Sequence, residues 1–409
     1  MAIPSIAMIP SGYKANKVYS VLPTDGSGDL DSARTTTATR VNQNGLIEEV
    51  AIGVPRLDYT DGGCPSLLPE PSSTNLITQS ESFGNAYWTK SGASVTSGFS
   101  APSVDSPLGA FKLVEGTSNG QHKLQKANLT VSATSNTVSY FIKKAERNKV
   151  LVEFGGGGGG TAVFDLSLGA IISESGVTAK IELISSDWYR CSVTFTTTAT
   201  SVYTSVYTLN DSNSNSYQGD GTSGVYIFGA QLEQNSSATS YIKTEGTTIS
   251  RTADSASKSG ISSLINSSQG VLYAEISALA DDLTNRRITI SDGTNDNRIV
   301  IGYDGTSNNI FYFVIVGGVN VAAGDGFVSD ITEFSKVAIK FKENDFALWV
   351  NGVETSSDNS GVTFTSNTLN SFQFATGANN SSYFYGNCKD LRIYKTALSS
   401  SELTTLTTI

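Results

Sequence analysis

Apolar and polar residues alternate with a period of two along most of this chain. The pattern is plainest in Val138-Ser139-Tyr140-Phe141-Ile142-Lys143 and in Tyr189-Arg190-Cys191-Ser192-Val193-Thr194. Such alternation turns one side of a strand toward a core and the other toward water, as antiparallel sheets with one wet face require. It predicts strands around residues 112–114, 122–124, 137–143, 150–154, 162–165, 179–183, 188–194, 202–209 and 224–232. A second series follows around 271–276, 287–290, 298–303, 310–316, 336–341, 346–350, 371–374 and 391–394, with Asn351-Gly352 as a tight turn directly after one strand. Helical spacing is scarce. One short terminal helix is expected, because Ser399 and Glu402 form a capping box ahead of Leu403.

The two series are separated by DSASKSGISSLINSSQG, a polar stretch of small residues that reads as a linker. Ahead of both lies a segment rich in proline and turn dipeptides, with a small hairpin expected where Thr39–Asn42 and Leu46–Glu48 flank Gln43-Asn44-Gly45. Its apolar content is too thin for a core of its own, so it is expected to pack on a neighbour, another subunit or a docking surface. The organisation expected is therefore all-β: an N-terminal docking segment over 1–74, a first jelly-roll β-sandwich over 75–255, a linker over 256–269, and a second sandwich over 270–409.

Composition narrows the function. The chain has 409 residues, too many for one compact core, and only 16% are charged. Its formal net charge of −10 repels phosphate backbones, which argues against a nucleic-acid partner and leaves hydroxyl-rich ligands such as glycans open. The three cysteines, Cys64, Cys191 and Cys388, are far apart and form no metal-binding pair, so free thiols are expected over a disulfide framework. The N-terminus has no basic region and its apolar run is broken by Pro4 and Pro10, unlike a secretory signal. The most apolar internal run, around 310–316, is too short to cross a bilayer, so no membrane insertion is expected.

Several stretches together resemble a family. TTTATRVNQNGLIEEV and PRLDY, then STNLITQSESFGNAYWTKSGASVT, DWYRCSVT and GVYIFGAQLE, and finally ATSYIKTEGTTISRTAD are similar in order and spacing to bacteriophage tail- and head-fibre proteins. The resemblance covers residues 30–255. It implies a virion-docking segment followed by a carbohydrate-binding-module-like jelly roll. Further on, KVAIKFKENDFALWVNGVE and CKDLRIYKTALSSSEL resemble laminin-G-like or concanavalin-like jelly rolls, a likeness of fold. The resemblance implies a virion location, other virion proteins as partners through residues 1–74, host surface glycans as ligands, and a homotrimer.

Catalytic chemistry finds little to stand on. The only histidine, His122, lies in a strand without a nucleophile motif and reads as exposed rather than as a catalytic base. Glycan hydrolysis needs two facing carboxylates, and in concanavalin-like glucanases these alternate along one strand. Here Glu343 and Asp345 are the nearest candidates, but Leu348 stands where a further glutamate belongs. The glycine run 155–160 lacks the lysine of a phosphate loop and reads as a strand connection. No cofactor is expected.

Two Asx-rich loops could hold a structural calcium, one through Asp211, Asn213 and Asp220 and the other through Asp292 and Asp296. Ordinary turn chemistry is the favoured account of both. Sugar rings stack their C–H faces on aromatic side chains. Trp88, Tyr217, Tyr383 and Tyr385, in or beside loops, are the glycan-contact candidates, whereas Trp188 and Trp349 read as core. The expectation is a non-enzymatic phage appendage protein that binds glycans. The alternatives are a decoration protein touching only virion proteins and, last, a polysaccharide-degrading enzyme.

Overall fold

The computed structural model describes residues 2–156, 159–377 and 381–409. Almost every element is an antiparallel strand, and the strands form two jelly-roll sandwiches. In the first, one six-stranded sheet runs Thr89–Ser91, Lys123–Thr130, Ser201–Thr208, Lys149–Gly155, Gly160–Asp165, Ala170–Ser175. The other runs Ala93–Phe99, Ala110–Glu115, Gly224–Glu233, Ser135–Lys144, Trp188–Thr196, Thr178–Ser185. Val138, Tyr140 and Ile142 point between the sheets onto Val150, Val152, Phe154 and Val206, as their alternation requires. Two residues of the glycine run, 157 and 158, lie outside the described residues; Phe154 and Gly160 on either side are register partners.

The second sandwich packs an eight-stranded sheet centred on Gln269–Ala278 and Gly386–Tyr394 against a nine-stranded one. In the latter, Arg286–Ser291, Arg298–Tyr303, Asn309–Val316 and Val319–Phe327 are consecutive neighbours. The Asn351-Gly352 turn has positive φ at both residues, 49° and 87°, as a two-residue hairpin turn demands. The terminal helix Ser400–Thr407 is capped by Ser399 and Glu402 as expected.

The N-terminal segment is where expectation and structure part. It does not stand apart: it is built into the body of the chain. Ile6–Met8 pairs with Gly386–Tyr394 in the eight-stranded sheet, and Leu57–Asp58 with Ser66–Leu67 prolongs the same sheet. Lys17–Val18 and Leu30–Ala33 extend the nine-stranded sheet. Ile6, Met8, Val18, Leu30, Leu57 and Leu67 are buried in the second sandwich's own core. Apolar residues too few to make a core suffice to finish one. The expected hairpin forms, as Ala38–Val41 and Ile47–Val50, and lays Val41 and Ile47 on Phe141, Trp188 and Phe228 of the first sandwich.

The linker also needs correcting. Ser255–Ser259 is a strand held between Leu30–Ala33 and Ser371–Gln373, with Ala256 in the core, and a single 3-10 turn, Ser262–Leu264, follows. Polar small residues suit a strand that shows its other side to water.

A buried ionic cluster joins the pieces. Arg56 pairs with both Glu70 and Asp254; Arg251 reaches Glu70 at 2.8 Å and Arg34 reaches Asp254 at 3.0 Å. Ser240 donates its backbone N–H to Glu70 at 2.8 Å. Arg56 belongs to PRLDY, and Arg251 and Asp254 to ISRTAD, so two of the stretches that carry the phage-fibre resemblance meet here as an internal clasp. Burial alone would raise the Glu70 carboxyl, but the Arg251 and Arg56 charges outweigh it and hold it down at about 2.

Candidate functional site

In each sandwich one outer face is covered and the other is open. The hairpin, together with Tyr241 of the return segment, covers the first sandwich's sheet that contains Ser135–Lys144. The terminal helix sets Leu403 and Leu406 on Val271, Tyr273 and Trp349, covering the eight-stranded sheet of the second. The two remaining faces are where a ligand has room.

On the first open face, register places Gln125, Ser205, Glu153 and Thr161 in one row, and Lys123, Tyr207, Leu151 and Val163 in the next. Tyr203 and Tyr207 donate to the two carboxylate oxygens of Glu153, at 3.1 and 2.7 Å. Lys123 donates to the Tyr207 hydroxyl at 3.1 Å and lies 5.0 Å from its ring centre. Burial, and then the Glu153 carboxylate accepting its proton, push the Tyr207 phenol up. The hydroxyl of Ser205, beneath this layer, has no partner. Tyr207 itself is only 4% exposed, so the half-exposed groups this face offers are Lys123, Gln125, Glu153 and Tyr203.

On the second open face, one row runs Arg287, Gly302, Phe311, Asp325 and the next Gln373, Thr289, Val300, Phe313, Ala323. A bridge between Arg287 and Tyr383 sets the tyrosine at the end of the first row. Gly302 offers no side chain, so Arg287 reaches across it to 5.8 Å from Phe311 and 5.4 Å from Phe313. Arg298 approaches the Phe313 ring at 5.2 Å from the third row. The two phenylalanines stack with centroids 5.7 Å apart. Burial pulls both guanidinium groups below their ordinary value, and Arg298 is lowered further by Arg287 beside it.

The four aromatic candidates divide. Tyr383 and Tyr385 flank the buried Phe384 and stack at 5.6 Å, half-exposed, with the Tyr385 phenol pushed up to about 12 by burial and then by Tyr383 and Asp254. Trp88 and Tyr217 are not ligand platforms. Trp88 is 2% exposed, donates its indole N–H to the Gln79 carbonyl at 3.0 Å, and packs on Phe83 and Tyr140. Tyr217 is 7% exposed; its hydroxyl donates to Glu115 at 2.7 Å, and burial and then Glu115 push it up to about 12. Both looked like loop residues because they lie between turns, and turns flanking a sandwich fold inward when an aromatic can plug its end.

His122 is fully buried, not exposed. Its ring nitrogens face the carbonyls of Gly92 and Tyr217 at 2.6 and 3.1 Å, which leaves no room to act as a base on a substrate. Asp345 forms an ion pair with Lys340 and Leu348 is core, so the glucanase carboxylate row is not assembled there. The calcium candidates are not assembled either. Asp220 accepts from the Ser223 hydroxyl at 2.6 Å and from the backbone N–H groups of Ser223 and Thr222, both at 2.7 Å, and these bonds hold its carboxyl low. Asp292 accepts from Thr294 at 2.8 Å and Asn297 at 2.9 Å. Asp211, Asn213 and Asp296 are exposed. Among the described residues, no three of His, Cys, Asp or Glu come together as a metal site.

Sequence reasoning missed Tyr203, Glu153, Arg287, Arg298, Phe311 and Phe313. Their outward phase was legible in KVLVEFG, SVYTSVYT, RRITIS, RIVIGY and IFYFVIV. Their convergence depends on cross-strand register, which no single strand carries.

A search of curated proteins returns no match. Among solved structures, the chain is similar to the CBM40 of a Ruminococcus gnavus IT-sialidase, at 16% identity over 35% of this chain and 84% of that one, TM-score 0.30. It is similar to domain 4 of a Geobacillus stearothermophilus extracellular arabinanase in complex with arabinotriose, at 17% over 42% and 83%, TM-score 0.31. It is also similar to sheep galectin-11 in complex with glycerol, at 8% over 31% and 89%, TM-score 0.21. Residues 276–404, most of the second sandwich, match the family model of the concanavalin A-like lectin/glucanases superfamily.

Proposed function

We propose that the protein binds carbohydrate through the open faces of its two sandwiches, without bond-breaking chemistry, as an attachment subunit of a phage virion. The observation that carries the binding reading is the first open face. A saccharide needs a surface that offers a ring face to its C–H groups and donors and acceptors to its hydroxyls, and the half-exposed Tyr203, Gln125, Lys123 and Glu153 supply both. The lectin-like match over 276–404 supports the same reading for the second sandwich. Weak sites on two modules, multiplied by oligomerisation, suit attachment to a surface dense in glycans.

The virion assignment rests on the stretches similar to phage fibres. Docking would then use the outward side of residues 1–74, where Ile3, Tyr13, Tyr19, Val21 and Ile52 stay exposed although the segment's inner side is built into the molecule. Sedimentation of the purified chain should give a homotrimer, as the resemblance implies. A monomer at micromolar concentration overturns that part.

The test of binding is a glycan array with the whole chain and with Tyr203→Ala and Gln125→Ala together. Binding is expected for the wild-type chain and should be weakened by the double change. An array with no signal overturns the reading in favour of a decoration protein. Release of reducing ends from a bound glycan overturns its non-catalytic part.

A further inference from the structure

The second open face carries a charge arrangement that packing alone does not explain. The chain is acidic, with a formal charge of −10, and arginines elsewhere in it, such as Arg56, Arg147 and Arg392, sit against carboxylates. Arg287 and Arg298 do not. Neither takes part in an ion pair among the described residues. The acids that face them, Asp304 toward Arg287 and Asp296 toward Arg298, act from beyond bonding distance, and Asp325 sits one row position past Phe311. Each guanidinium has one neutral acceptor, Thr376 Oγ1 at 3.2 Å for Arg287 and Asn295 Oδ1 at 2.7 Å for Arg298. Among the described residues, the Nε atoms of both are buried without a partner, and so is the hydroxyl of Thr289.

Two like charges drawn to the same phenylalanine ring repel one another. A cation–π contact is worth only about 0.5–2 kcal/mol and does not neutralise either. Both guanidinium groups lie within 5.4 Å of the Phe313 ring centre, planar forks of this kind match the oxygens of a carboxylate or sulfate, and an anion that reaches both relieves the repulsion. Around the pair, Phe313 and Tyr383 are half-exposed and aromatic, so the surface beside the charges suits a ring.

We propose that this face binds an acidic saccharide, with its carboxylate or sulfate group held between Arg287 and Arg298 and its ring against Phe313 and Tyr383. The proposal rests on the carbohydrate-binding reading given above and assigns its ligand class. Tyr383 thereby keeps a role in contact with ligand, while Arg287 sets the charge requirement.

The experiment is titration calorimetry of the whole chain with a carboxylated polysaccharide, a sulfated one, neutral dextran and sodium sulfate. It is repeated for Arg287→Gln, Arg298→Gln and Arg287→Lys, and for Leu108→Ser, an exposed position of the other sandwich away from both open faces. Circular dichroism checks that every variant is folded. The expected result is binding of an acidic polymer that weakens at least tenfold in each Gln variant, less in Arg287→Lys, and with rising salt, while Leu108→Ser leaves it unchanged. Which acidic polymer binds tells carboxylate from sulfate. Equal binding of acidic and neutral polymers, or Gln variants with wild-type affinity, overturns this inference and leaves the carbohydrate reading standing. Sodium sulfate binding as tightly as any polymer overturns the saccharide part. No binding of any polymer overturns both.

Discussion

Replacing Glu70 by Gln tests whether the buried cluster is a structural clasp. The exchange keeps shape and removes one charge, leaving Arg34, Arg56 and Arg251 to share Asp254. The carboxyl ordinarily ionises near 4.5 and is held at about 2 here, a preference for the charged form of about 3 kcal/mol. Breaking a buried pair by removing one partner costs about 3–5 kcal/mol, in agreement. For sandwiches of this size, 3 kcal/mol is a fall in Tm of roughly 6–12 °C, read by scanning calorimetry at pH 7. The sign with pH is fixed, because the folded carboxyl is depressed. Its contribution is complete above the unfolded value near 4.5 and is lost as pH falls through about 2. The gap between wild type and variant should therefore be constant from pH 7 to 5 and close toward pH 2. A fall in Tm below 2 °C at pH 7, or a gap that does not narrow in acid, refutes the reasoning.

Two further outcomes follow from burial. Trp88→Ala should cost about 3–5 kcal/mol by emptying the end of the first sandwich, whereas Trp88→Phe should leave array binding unchanged; lost binding with an intact fold would return Trp88 to the ligand surface. A thiol reagent should modify one cysteine, Cys64, in the native protein and all three after denaturation, because burial pushes the Cys191 and Cys388 thiols up. Native reaction of two or more refutes this.

Much of the fold was legible in the sequence, because alternation is a local property. Val138–Lys143 and Tyr189–Thr194 lie in strands as read, and the Ser399–Glu402 box caps the terminal helix. What escaped was pairing between distant residues. Ile6–Met8 is three residues long and nothing nearby tells that its partner is Leu391–Ile393. Ser255–Ser259 looks like a linker until Leu30–Ala33 and Ser371–Gln373 close on either side of it. At the site, Tyr383 was readable as an aromatic near a loop. Arg287 and Arg298 were not, since an arginine on a strand says nothing about whether an acid from another strand will meet it.

The pairing of Ile6–Met8 with Leu391–Ile393 also orders events in time. The first strand emerges from the ribosome nearly four hundred residues before its partner exists. It must wait, unpaired and apolar, until synthesis reaches Leu391–Ile393, and long-range pairing of this kind is slow. The first sandwich can mature meanwhile; the second is sealed later, by a strand made long before its partner. A fragment beginning at residue 270 would therefore be born with an unguarded sheet margin, and should clump where the longer chain stays dispersed.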